Sequence, residues 1–131
     1  MNLMLFRGLA SRLLLSKRKV KEETTVISVT EVQILTSADS GNTYSLDDPG
    51  CRIALPLRAS LTAGWTITVQ CTVTTRYVTV SDPADVGSVS FEGDSWDGIQ
   101  LDSLDAQATI TFDGNAFQAV AIAGTVAGYL D

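Results

Sequence analysis

"GWTITVQCTVT", residues 64–74, decides the fold. Trp65, Ile67, Val69, Cys71 and Val73 fall on one side of an extended chain, and Thr66, Thr68, Gln70, Thr72 and Thr74 on the other. Side chains alternate faces along a strand, so residues 65–74 read as a long strand with one buried and one wet face. Just upstream, "CRIALP" (residues 51–56) reads as a shorter strand stopped by Pro56, whose missing N–H suits a sheet edge. Gly64 permits a tight turn into the long strand, and Trp65 anchors its core end.

The same grammar runs through the rest of the body. Residues 24–35 are rich in β-branched side chains and end at "SADSGN". Residues 43–46 precede "DDPG", a strong turn signal. Residues 77–80 follow the long strand closely, which predicts a hairpin between the two. Further strands are expected at 88–91, 99–101, 108–112 and 117–123, the last two joined by the hairpin turn "DGNA". The body shows no helical period and no internal repeat. The expectation is an all-β domain, a β-sandwich or jelly roll of eight or nine short antiparallel strands.

The last of these strands is apolar on both faces. Phe117, Ala119, Ala121 and Ala123 point one way; Val120 and Ile122 point the other, beside Gln118. A strand of that kind is expected to be covered on both sides. Either a neighbouring subunit covers the second face, making Phe117, Val120 and Ile122 subunit-interface residues, or the N-terminal arm or a loop does.

Charge divides the chain in two. Residues 1–21 hold six Lys or Arg and no acid; residues 22–131 hold three Arg against fifteen acids, a net of −12. The boundary suggests a basic N-terminal arm (1–23) with its own partner and a domain (24–131). The acidic domain is a poor ligand for nucleic acid. In the arm, Leu3, Leu5, Phe6, Leu9, Leu13 and Leu15 are interspersed with Arg7 and Arg12 and followed by Lys17, Arg18 and Lys19. The spacing allows a short amphipathic helix, weakened at Gly8. It is too short and too charged to span a membrane, and its basic residues interrupt and follow the apolar ones, unlike a secretion signal. An organelle transit peptide shares its composition, as does a helix packed on its own domain. Docking onto an acidic protein surface accounts for both the leucines and the charge.

Chemistry has few footholds. The chain has no histidine, which removes Ser-His-Asp and Cys-His catalysis and most zinc sites. Cys51 and Cys71 are expected as reduced, partly buried thiols, although a pairing depends on geometry. "EGDSWDGIQLDSLD" gathers Glu92, Asp94, Asp97, Asp102 and Asp105. Its spacing matches no EF-hand, so a solvated loop is expected in place of a Ca²⁺ site. Trp96, between Asp94 and Asp97, is either an exposed binding aromatic or a cap on one end of the sandwich. No catalytic, cofactor or metal residue is assigned.

The order of the pieces carries a resemblance. "SGNTYSL" (residues 40–46), "CRIALP" (51–56), "AGWTITV" (63–69), "YVTV" (77–80), "FEGDSWDG" (91–98) and "ATITFDGNAFQAVAIAG" (108–124) follow one another as in small trimeric β-sandwich domains of tailed bacteriophages. Such domains occur in head fibres, capsid decoration or cement proteins and tail-fibre tips. Here Phe117 stands where a Trp is common. The resemblance implies a non-enzymatic homotrimer without cofactor, made in the bacterial cytoplasm and carried on the capsid exterior of the virion. Its partner would be the major capsid protein or another virion protein, with no membrane; the arm's own leucines and charges place the docking contact on Leu3, Leu5, Phe6, Arg7, Leu9, Arg12, Leu13, Leu15, Lys17, Arg18 and Lys19. The alternative it implies is a receptor- or glycan-binding knob of a head or tail fibre, with Asp94, Trp96 and Asp97 in a distal binding loop.

Overall fold

The computed structural model describes residues 25–131, and within them the chain crosses repeatedly between two sheets. β1 (Val26–Val29), β3 (Thr43–Leu46) and β5 (Thr66–Cys71) lie parallel in one sheet. β2 (Val32–Ile34), β4 (Arg52–Leu55) and β6 (Arg76–Val80) lie parallel in the other. Each pair β1–β2, β3–β4 and β5–β6 is therefore one rung, and three rungs stack. Thr43 lies beside Thr68 and Arg52 beside Tyr77, an offset of 25 residues in both sheets. The first rung lies closer in sequence, with Val26 beside Thr43 and Val32 beside Arg52, so the rungs have no constant spacing and the sequence reads as unrepetitive.

The second half of the chain closes the stack. β9 (Gly98–Leu101) runs antiparallel to β6, and β10 (Gln107–Phe112) antiparallel to β5. β11 (Phe117–Ala123) returns from β10 as a hairpin, and β7 (Val89–Phe91) pairs parallel with its first three residues. β8 (Asp94–Trp96) and β12 (Val126–Tyr129) complete a seven-stranded sheet, β1-β3-β5-β10-β11-β7-β8, and a five-stranded one, β12-β9-β6-β4-β2.

The all-β, two-sheet architecture agrees with the sequence, with three differences. The described residues form twelve strands, and five of their ten pairings are parallel. β5 stops at Cys71, and β6 belongs to the facing sheet, so the two form no hairpin. A short polar connection has the same composition whether it folds back beside its strand or crosses the core to the other sheet. Finally, β4 is an inner strand, and buried Pro56 ends it after Leu55 instead of guarding an edge.

The alternation seen in residues 65–71 holds. Ile67, Val69 and Cys71 are buried, while Thr66, Thr68 and Gln70 are partly exposed. Register sets Thr68 beside Thr43 and Thr109, and Gln70 beside Ser45 and Gln107, so the outer face around β5 is hydroxyl- and amide-rich. Thr66 and Thr111 hydroxyls meet at 2.9 Å, and Gln107 Nε2 donates to Gln70 Oε1 at 2.8 Å. Gly64, at φ +101°, makes the turn into β5 that a side chain would strain, and its N–H donates to Phe112 O at 2.8 Å. Trp65 is buried, donates Nε1–H to Thr36 O at 3.1 Å, and meets the Phe117 ring edge-on at 6.3 Å. Phe112 joins the same aromatic cluster.

Candidate functional site

The stretch that the alternative reading makes a distal binding loop holds a short strand, with Trp96 and Asp97 packed and Asp94 exposed. β8 forms where a loop was expected, pairing antiparallel with β7 across the turn at Glu92 and Gly93. Trp96 is half-buried against the core, donates Nε1–H to Phe91 O at 3.2 Å, and presses on β12. A Cβ added to Gly128 would lie 2.1 Å from its indole ring. Trp96 thus caps the sandwich. Asp97 is 5% exposed, and its carboxylate accepts the N–H of Gly87 and of Asp131, each at 2.8 Å. A carboxylate held by two backbone donors is already occupied. Asp94 is exposed. Among the described residues, no group of three or more His, Cys, Asp or Glu is placed to hold a metal ion.

The three residues expected at a subunit interface separate. Phe117 is fully buried inside the sandwich core and is not available to a second chain. Val120 and Ile122 are 61% and 54% exposed. β7 pairs with β11 only through Ala119, so residues 120–123 leave their outer backbone edge open, and all four side chains are exposed. The strand is therefore buried on one face at its start, through Phe117 and Ala119 with Gln118 half-buried opposite, and on neither face at its end. A bulge opposite Gln107 and Ala108 twists this open half. The arm residues Leu3 to Lys19 lie outside the described residues.

Two depressions mark the surface. One, of about 540 Å³, is lined by Ser37, Ser40, Ser60, Thr62, Ala63, Gly64 and Trp65. Its hydroxyls serve turns: Ser40 Oγ accepts from Thr66 N–H at 3.1 Å, and Ser60 Oγ–H donates to Leu57 O at 2.7 Å. The other, of about 330 Å³, runs over the outer face of the smaller sheet beside Val32, Ile34, Arg52, Ala54, Asp82, Val86 and Asp131. On the same face Tyr77 and Tyr129, both partly exposed, meet with ring centroids 4.7 Å apart and planes tilted by 50°. Sequence reading missed this surface. Val32 and Ile34 alternate with Gln33, but only the register shows that they face outward with Arg52 and Ala54.

A further cluster went unnoticed because its members are distant in sequence. Buried Asp85 accepts Arg58 Nε–H at 2.9 Å and the Arg58 backbone N–H at 3.1 Å, while Arg58 Nη1 donates to Asn115 O at 2.7 Å. One ion pair ties three connections together. Asp47 collects three hydroxyls, from Ser28 at 2.6 Å, Ser45 at 2.5 Å and Thr72 at 2.8 Å, which hold its carboxyl below the ordinary carboxylate range. Both cysteines are free and buried. Burial pushes the Cys71 thiol up, and its S–H donates to Ser103 O at 3.1 Å, which makes it a poor nucleophile.

Comparison with known proteins returns no matching family model and no matching curated protein.

Proposed function

We propose that this is a non-enzymatic structural protein of a phage virion, a trimeric capsid decoration or cement protein fixed to the shell through its N-terminal arm. The observation that carries the reading is a division of labour. Residues 25–131 enclose a hydrophobic core among themselves, while residues 1–21 differ from them in composition, with leucines and six cations and no acid. The motif order described above supplies the phage context. On this reading the arm's apolar side chains bury at a capsid junction, its charges steer the approach, and the burial opposes internal pressure without chemistry. The histidine-free composition agrees with a role that needs no general base. The test is co-sedimentation with particles lacking the protein. Removing residues 1–21 is expected to abolish attachment, and full attachment of the truncated chain would refute the reading.

A second reading, a receptor- or glycan-binding knob, is favoured by the Tyr77–Tyr129 pair, an exposed aromatic surface of the kind that meets sugar faces. On it, Tyr77→Ala removes cell or glycan binding. Trp96→Ala acts mainly on stability, since that ring is packed.

A further inference from the structure

β2 is the outermost strand of the smaller sheet, and no described residue pairs with its outer edge. Leu35 N–H donates inward to Ala54 O at 3.0 Å. Backbone groups alternate in direction along a strand, so the N–H and C=O of Ile34 point to the open edge. Sheets usually blunt such an edge with charge, proline or a cover, yet Val32, Gln33 and Ile34 are uncharged, and the 330 Å³ groove lies alongside. Val32, Ile34 and Val86 expose 51%, 66% and 57% of their surface there, with Arg52, Asp82 and Asp131 as its charged groups. An open edge, apolar side chains and two carboxylates against one cation suit an extended segment whose side chains are apolar and basic.

We propose that residues 1–24 of this chain are that segment. They add a strand to β2, set leucines over Val32, Ile34 and Val86, and bring basic side chains to Asp82 and Asp131. Two features of the chain choose this occupant. Residues 25–131 carry three Arg against thirteen acids, whereas residues 1–21 carry six cations and no acid. The segment also joins the first rung directly at Thr25, and 24 extended residues reach roughly 80 Å, about twice the width of a domain this size. The tether therefore raises the segment's effective concentration at the groove without fixing its path. The inference concerns the protein away from any particle and does not rest on the shell reading. If that reading holds, the segment leaves β2 on docking.

Hydrogen exchange with mass-spectrometric readout on the full chain tests this, comparing wild type with Leu9→Ser/Leu13→Ser and with Asp82→Lys/Asp131→Lys. Slow exchange over residues 32–34 is expected in the wild type, with roughly tenfold faster exchange there in both variants and unchanged exchange in β5 and β10. Fast wild-type exchange over 32–34, or no response in either variant, overturns the proposal. A photo-cross-linker at position 34 is expected to capture residues 1–24 of its own chain, and a cross-link joining two chains also overturns it. Particle attachment of the serine variant separates the two readings. Attachment lost with exchange unchanged sinks this proposal alone; attachment retained with exchange accelerated sinks the shell reading alone.

Discussion

Asp97 shows how a residue that looks functional by sequence becomes structural in place. Among acids on a stretch flanked by Gly and Trp, it is indistinguishable from Asp94. Its burial and its two backbone donors set it apart. Asp97→Ala leaves the Gly87 and Asp131 N–H groups without this partner, and urea unfolding should show a loss of about 2 kcal/mol. Asp94→Ala should leave the midpoint unchanged. Asp47 makes a pH prediction. Its hydroxyl donors favour the charged form, so its folded pKa lies below the unfolded one. The stability this contributes is present above the unfolded pKa and is lost as pH falls through the folded value. The stability gap between wild type and Asp47→Asn should thus be full near neutral pH and shrink below about pH 4. A gap of equal size under acid conditions would contradict the assignment. The cysteines, buried and apart from any pairing, should resist a thiol reagent in the native protein and react on unfolding.

At the scale of the element, legibility follows the period. β5, β10 and the β10–β11 hairpin are clear from alternation and turn chemistry. At the hairpin, Asp113 accepts the Asn115 and Ala116 N–H groups, each at 2.8 Å, as an Asx turn should. β8 escaped because three polar and aromatic residues between glycines carry no periodic pattern. β11 was legible as a strand but not in its surroundings. Its first residues lie beneath the core aromatics, and its last four stand free. That open, uncharged half is the part suited to a second copy. If the proposed trimer assembles through it, Val120→Lys/Ile122→Lys should lower the solution mass to that of a monomer by light scattering, with melting temperature little changed because both side chains are exposed. An unchanged mass would place the subunit contact elsewhere.

For the whole molecule, light scattering of the intact chain and of residues 22–131 asks where assembly resides. A trimer from both is expected if the β-domain oligomerises by itself; a monomeric shorter chain would assign assembly to the N-terminal segment. The amino-acid sequence alone determined the all-β class, the neutral and apolar faces of β5, the charge split near residue 21, and the want of a histidine for acid–base work. Those are properties of local period and composition, and each is complete within a short window. Only the tertiary structure decided that successive strands alternate between sheets, that half the pairings are parallel, that Arg58 finds Asp85, and that Val32 and Ile34 border a groove. The physical reason is that pairing partners are chosen across the core. A connection of a few polar residues fits a return beside its own strand or a crossing to the facing sheet equally well, and only the joint burial of all three rungs selects the crossing.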